Sequence, residues 1–494
     1  MHSYITTTIP YVNARPHIGF ALELVQADVL ARHRRARGDN VRFQAGTDDN
    51  SLKNVLAAEA AGQEVQKFVT TNGLAFLELG PALTLSVDDV IRTSSDPRHR
   101  PGVEKLWRAC ADSGDLYLKQ YEGLYCTGCE QFYSPAELPD GRCPEHLTEP
   151  ELVAEENWFF RLSRYEDQLR TAISSGRLRI EPAGRRNEVL ALIDAGLEDF
   201  SASRPAARAR GWGLPVPGDP SQVIYVWWDA LGNYVTALGY GSDPAAYHQW
   251  WTGDGQRLHL LGKGVLRFHA VYWPAMLLSA GLPLPTGIFV HDYLTAGGRK
   301  ISKSAGAAVP GPAELAATYG ADAVRWWLLR EVPRVGDADF TVERMIARAD
   351  DELANGIGNL VNRVVAMIHR YRDGRVPGGG QPLTSCRDVA KRVDAALAGF
   401  DFRAATEAVW TVADQANRYV NEVRPWELAR RPDLARQLDA VLHTLHATCV
   451  VLAAELAPFL PGAAARLAAQ LRPVDGVLPS ATPVFRRLRD TVVG

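Results

Sequence analysis

Two ligand-bearing pairs, Cys126-Thr-Gly-Cys129 and Cys143-Pro-Glu-His146, are separated by thirteen residues. Three thiolates and one imidazole close a tetrahedral site, and this pairing is the spacing signature of a structural Zn2+ knuckle. Four protein ligands leave no open coordination position, so the metal is expected to hold structure and not to perform chemistry. The alternative, a set of free buried thiols, has no need of His146. A second candidate is Pro16-His17-Ile18-Gly19, at a strand-to-helix junction. Here Gly19 admits a nucleotide closely, the helix start offers unpaired N–H groups, and His17 can donate to a phosphate oxygen. By itself such a tripeptide reads as a loop. The third, Lys300-Ile-Ser-Lys-Ser304, follows the Gly297-Gly298 turn. Its two lysines can neutralise the charge that develops as pyrophosphate leaves an α-phosphate. Alone it reads as a solvated basic loop.

The elements that must position these residues are legible in outline. Tyr4 to Ile9 is a β-branched run stopped by Pro10 and predicts a buried strand. Ile18, Leu22, Val25, Val29 and Leu30 recur at helical spacing up to Gly38, and Val41 to Phe43 predicts a second strand. Strand, helix and strand in this order predict a parallel sheet whose helix start is a phosphate site. From about Asp115 short strands (116–118 and 123–125) surround the cysteines. Strand texture resumes at 223–227 and 259–261, and 288–290 reads as the last core strand. Beyond Thr341 helices are expected over 353–371, 389–398, 404–423 and 436–456. The fold class that follows is α/β: a Rossmann-like, doubly wound parallel sheet with an inserted zinc-knuckle domain and a C-terminal all-α helix bundle. The expected divisions are 1–114 and 221–290 for the two halves of the parallel-sheet domain, 115–220 for the insertion, 291–345 for the region of the lysine loop, and 346–494 for the bundle.

A chain of 494 residues exceeds one core. With 46% hydrophobic and 22% charged residues it has material for several. Its net charge of −3 excludes a protein coated in basic residues, so nucleic-acid contact has to come from local patches. Arg15, Glu23 and Asp28 interrupt the first thirty residues, and no signal peptide is expected. No window approaches a membrane span on this reading; the apolar run from Cys449 to Leu460 contains Glu455 and reads as a packed helix. Six cysteines in so long a chain suggest no disulfide scaffold, and a reducing cytoplasmic setting is expected.

Taken together, the His17 and Lys300–Ser304 elements resemble the two signatures of class I aminoacyl-tRNA synthetases, specifically those of the methionyl type. The resemblance spans the chain: Ile9-Pro-Tyr11-Val-Asn13, Gly46-Thr-Asp48, Glu155 to Phe160, Tyr225 to Ala230, Gly262-Lys263 through His269, and Trp273 to Met276. It implies an ATP-dependent ligase in which His17, Gly19, Lys300, Ser302, Lys303 and Ser304 bind Mg-ATP, with His17, Lys300 and Lys303 catalytic. It also implies that Ile9, Tyr11, Asp48, Trp227, Ala230, Tyr234 and His269 line a methionine site. Asp48 can pair with the substrate ammonium, and aromatic walls at Trp227 and Tyr234 suit a thioether. Asn359, Arg363 and Trp426 fall at anticodon-reading positions, where amide and guanidinium groups can bond base edges and indole can stack. tRNA is therefore the expected partner, no membrane is, and since the chain ends soon after the bundle a monomer is expected.

The chain departs from the family pattern at several places. Phe20 stands where the first signature has a second His, and loss of one such donor costs on the order of a hundredfold in rate. Asp49-Asn50-Ser51 replaces the usual Glu-His-Gly, Gly264 replaces an Asp after Gly262-Lys263, and Ala307 replaces an Asn after Gly306. These changes keep two alternatives open: an adenylating enzyme with a small-molecule acceptor, and a tRNA-binding or regulatory protein with little catalysis. Amino-acid-dependent ATP–pyrophosphate exchange separates the last from the others, and tRNA charging separates the first two readings.

Overall fold

The computed structural model describes residues 1–145, 147–301 and 309–489. The chain packs as two units: the first comprises Met1–Pro16, Arg34–Glu78 and Ser86–Asp292, the second His17–His33, Leu79–Leu85 and the chain from Tyr293 onward.

The first unit is built on a six-stranded sheet in the order Asp89–Arg92, Asn40–Thr47, His2–Thr7, Gln256–Gly262, Gly287–His291, Arg179–Glu181. All its pairings are parallel, as expected from the strand, helix, strand order. His2–Thr7 is buried from Ser3 to Thr7, which accounts for its near-continuous apolar and β-branched sequence. This strand is flanked by Asn40–Thr47 on one side and Gln256–Gly262 on the other, so the order reverses at it. Such a switch point opens a crevice beyond the carboxyl ends of the strands. Gly46 sits close to that end: a Cβ there would lie 2.5 Å from the Ile91 carbonyl oxygen and 2.8 Å from Ile9 Cγ2. Only glycine lets the strands and Ile9 approach so closely.

A four-stranded antiparallel sheet carries the cysteines. Leu116–Cys126 runs as one strand, longer than the two short pieces expected, and pairs with Gln131–Tyr133 and Glu151–Phe160. Two strands of the parallel sheet were not foreseen, Asp89–Arg92 and Arg179–Glu181, because four and three residues are too few to show a period. The stretch 223–227 is a correction. Only Asp219–Ile224 is strand, paired antiparallel in a small separate sheet, and Val226–Thr236 is helix. An apolar run of this length cannot distinguish strand from buried helix.

In the second unit the helices lie where the periodicity puts them: Asn359–Arg372, Val389–Ala398, Phe402–Val423 and Ala435–Leu456. Gly356 lets Trp410 pack against its backbone, where a Cβ would lie 2.6 Å from the ring. By length and composition Pro432–Leu456 would pass for a membrane span, contrary to the expectation that no window approaches one. Its apolar side, from Leu438 through Leu445 to Leu456, is buried in the bundle. The unit also encloses a fully buried ion pair, Arg325 to Asp28 at 2.8 Å. The same guanidinium donates to the carbonyls of Phe459 (2.7 Å), Leu83 (3.1 Å) and Pro458 (3.2 Å).

Candidate active site

The helix Val226–Thr236 presents Trp227, Ala230 and Tyr234 at i, i+3 and i+7, which is one face. A strand through Trp227 could not have done this. Trp227 stacks on Phe268 with ring centroids 3.8 Å apart and planes 4° from parallel. It meets Tyr11 and His269 edge-on, each at 6.4 Å. His269 lies in a π-helical turn, Phe268–Tyr272, a local widening often found at functional sites. Its Nδ1 is 2.9 Å from the Val265 carbonyl oxygen, which can only accept, so Nδ1 carries the proton. Nε2 then accepts from the Tyr234 hydroxyl at 2.7 Å. Aromatic faces and a fixed phenol–imidazole pair thus form an apolar cluster with one polar corner.

Tyr11 and Asp48 form a parallel bridge that prolongs the first two strands beyond their ends. Asp48 N–H donates to the Pro10 carbonyl at 2.9 Å, and the Asp48 carbonyl accepts from Asn54 at 3.0 Å. The carboxylate is buried, as are Asp49, Glu130 and Asp229. Asp49 is spent on structure: Arg92 at 3.1 Å, Ser94 at 2.7 Å and Thr47 at 2.9 Å hold it. Asp48 has no ion-pair partner among the described residues and takes the Asn50 N–H at 3.2 Å. Burial, then the charges of Asp229, Glu130 and Asp49, push its carboxyl well above the usual carboxylate range. A cationic ligand beside it would offset both effects.

Asp229, Glu130 and His99 were not singled out from the sequence. Asp229 lies in the quoted run Tyr225 to Ala230, and Glu130 directly follows Cys129, so adjacency to assigned residues was the available signal. Buried His99 bonds Asp229 at 2.5 Å and Thr236 at 2.8 Å. Glu130 adopts φ 55° and accepts from the Ser51 hydroxyl and from the Lys53 N–H at 3.2 Å. Ser51 caps the following helix through Lys53 N–H at 3.0 Å. The residues that depart from the family pattern at 50 and 51 therefore each have work here. Near Gly264, the Lys263 ammonium lies 3.7 Å from Asp292.

The three thiol sulfurs of Cys126, Cys129 and Cys143 lie within 4.8 Å of one another, and Cys129 and Cys143 are 3.5 Å apart. Thiolates at about 2.3 Å from a tetrahedral ion lie roughly 3.8 Å apart, so the set fits a metal. A strand end, a tight turn and a returning loop bring them together, the loop closed by Cys143 N–H to the Thr148 carbonyl at 2.9 Å. His146 lies outside the described residues. Trp227 Nε1 donates to the Cys129 carbonyl at 3.3 Å, which ties the cysteine turn to the aromatic cluster.

In the second unit His17 precedes the helix Ile18–Ala36, and its carbonyl accepts from Phe20 N–H at 3.0 Å. A Cβ at Gly19 would sit 3.0 Å from the His17 ring, so glycine lets the imidazole fold over the helix start. No acidic residue occupies the first turn, which keeps it suited to an anion. Lys300 pairs through its backbone with Thr295 in a short hairpin. The Lys300 side chain, Ser302, Lys303, Ser304 and Ala307 lie outside the described residues. Asn359 is exposed at the start of its helix, and Arg363, one turn on, reaches Asn421 at 3.4 Å. Trp426 is 36% exposed, on a short turn that opens with Arg424 at φ 50° and Pro425.

A family model described as tRNA synthetases class I (M) matches residues 3–150 and 133–365. The chain is 37% identical to methionine–tRNA ligase 1 of Bacillus cereus, over 98% of its own length and 78% of the relative's. It is 38% identical to the methionine–tRNA ligase of Caldanaerobacter subterraneus, over 95% and 73%. Among solved structures, Mycobacterium tuberculosis methionyl-tRNA synthetase in complex with methionyl-adenylate superposes with a TM-score of 0.91 at 36% identity, covering 98% of this chain and all of that one. With the parallel sheet, its switch point and the aromatic cluster in place, these matches show that the chain belongs to the methionyl family of class I tRNA synthetases.

Proposed function

We propose that the chain condenses methionine with ATP to methionyl-adenylate and pyrophosphate, then transfers the methionyl group to tRNA. The observation that carries this reading is Asp48: a buried carboxylate among three others, without a cationic partner among the described residues, bridged through Tyr11 to an aromatic cluster. Methionine brings what that arrangement lacks, an ammonium for Asp48 and a thioether for the walls made by Ile9, Tyr11, Trp227, Ala230, Tyr234 and His269. Its carboxylate attacks the α-phosphorus, a P–O bond forms, and the bond to pyrophosphate breaks. A terminal hydroxyl of tRNA then attacks the acyl carbon and AMP leaves. Neither step needs a side-chain nucleophile, so positioning and charge stabilisation supply the rate. The signature residues His17, Gly19, Lys300, Ser302, Lys303 and Ser304 are assigned to the phosphates of ATP, which enters as its magnesium complex.

The test is methionine-dependent ATP–pyrophosphate exchange run beside tRNA charging. Exchange with no amino acid would overturn the enzymatic reading; exchange without charging would point to a different acceptor.

The cysteine set, completed by His146, is proposed to hold a structural Zn2+. The Tyr133 hydroxyl donates to Cys129 Sγ at 3.1 Å and lies 3.7 Å from Cys143 Sγ. Loss of such an outer bond typically weakens a metal site 10- to 100-fold. Tyr133→Phe is therefore expected to lose zinc to a competing chelator at about one-tenth of the concentration the parent needs, read by metal analysis after dialysis.

Asn359, Arg363 and Trp426 are proposed to meet the anticodon. Base–aromatic stacking contributes about 1–3 kcal/mol, so Trp426→Ala is expected to raise the KM for tRNA in charging by roughly 5- to 150-fold. An unchanged KM would remove Trp426 from the interface.

A further inference from the structure

Asn50 stands at a point where two buried like charges meet. Its backbone N–H donates to Asp48 Oδ1 at 3.2 Å, and its side-chain Nδ2 donates to Asp229 Oδ2 at 2.7 Å. The other Asp229 oxygen is held by His99 Nε2 at 2.5 Å, and His99 Nδ1 is anchored on Thr236 at 2.8 Å. Every link but Asn50 itself is buried. Asp229 is further fixed by its place in the first turn of Val226–Thr236, where its N–H bonds the Tyr225 carbonyl at 3.1 Å. Asp48 is fixed by the bridge to Tyr11. One small side chain thus joins two elements 179 residues apart. Asn50 and Glu130 both border a small surface cleft, which Tyr125, Trp212 and Tyr225 also line.

We infer that Asn50 is a positioning residue for the substrate α-ammonium: it holds Asp229 beside Asp48, so that a cation entering at Asp48 meets the field of both carboxylates. The inference rests on the methionine reading of this site and deepens it. Two carboxylates brought together in a buried setting repel, and a cation between or beside them recovers that energy. The carboxamide makes the arrangement possible because it donates to Asp229 without adding a charge of its own. An aspartate at 50 would add a further like charge, and an alkyl group would leave Asp229 Oδ2 without its donor. Asn50 is not expected to touch the reacting phosphorus, and its effect should therefore fall on KM for methionine more than on kcat. Ser51 beside it donates its hydroxyl to Glu130 at the start of the following helix.

The experiment compares methionine with 4-(methylthio)butanoate, which has the same thioether and carboxylate but no ammonium. Exchange kinetics give KM and kcat for methionine, and inhibition of exchange gives Ki for the analogue. Loss of a hydrogen bond to a charged group corresponds to about tenfold or more, so Asn50→Leu is expected to raise KM for methionine by at least that factor. The Ki of the analogue should stay within about twofold and kcat within about threefold. Asn50→His, which retains an N–H donor, is expected to recover most of the loss. Asn50→Ala repeats the comparison should leucine disturb folding. Equal weakening of both ligands would assign Asn50 a purely structural role and overturn the inference, as would an unchanged KM. An active parent with an indifferent Asn50→Leu would sink this inference alone. A parent without methionine-dependent exchange would sink the functional reading and this inference with it.

Discussion

Replacing Asp48 by asparagine is expected to lower kcat/KM for methionine in ATP–pyrophosphate exchange by about 30-fold to several thousand-fold, the 2–5 kcal/mol lost when one partner of a buried charge pair is removed. The protein should not become less stable in exchange. Asp48 is crowded by Asp229, Glu130 and Asp49, and its carboxyl is pushed up first by burial and then by those charges. Its ionised form is therefore disfavoured in the folded state, and a neutral amide removes that cost. Activity should collapse while the melting temperature holds or rises. The same shift sets a pH dependence. A carboxyl whose folded pKa exceeds its unfolded value of about 3.9 binds more protons in the native state between those two values. Its stabilising contribution is present below the unfolded value and is lost as pH rises through the folded one. For substrate the sign is opposite: as pH falls through the raised value, Asp48 protonates and KM for methionine climbs. The pH profile of KM in the parent, compared with a flat profile in Asp48→Asn, checks the second, and the difference in melting temperature between the two proteins across pH checks the first. A KM within threefold of the parent would remove Asp48 from the ammonium site.

Arg325→Met is the second large effect. The guanidinium is fully buried, pairs with buried Asp28 at 2.8 Å and satisfies three carbonyls. Burial lowers its pKa, with Asp28 opposing that shift. Removing one partner of a buried pair costs about 3–5 kcal/mol, because the remaining charge stays behind. Arg32 also bonds Asp28 at 2.8 Å and softens the loss without replacing the carbonyl bonds. A fall in melting temperature of roughly 5–15 °C is expected, followed as the transition of the second unit because a chain of several units need not unfold in one step. Asp28→Leu with Arg325→Met should recover much of it, since apolar replacement of a whole pair is often close to neutral. Asp28 lies on the helix that begins after His17, so the single variant is also expected to impair exchange. A loss below about 1 kcal/mol would show that the pair is not needed to hold that helix.

Much of the site was readable as chemistry and little of it as geometry. The cysteine spacing announced a metal-sized cluster, and the three thiols do converge. The resemblance placed Tyr11, Asp48, Trp227, Tyr234 and His269 in one pocket, and bonds and ring contacts join them. Trp227 was expected on a strand because Val223 to Trp227 is apolar throughout, and five apolar residues carry no period that separates a strand from a buried turn of helix. His99 carried no local signal at all: its role exists only through Asp229, 130 residues away.

Local order came from neighbours in the chain. Helical spacing, the Pro10 stop, the glycine at 19 and the ligand pairs are short-range patterns, and their physical causes act within a turn or a strand. The pairing of Asn50 with Asp229 and of Asp28 with Arg325 belongs to the folded chain alone. Buried polar groups must find partners wherever the backbone returns, and no periodicity encodes which distant residue that will be. Amino-acid types thus specified what chemistry this protein could perform, while the returning backbone decided which buried carboxylates stand together.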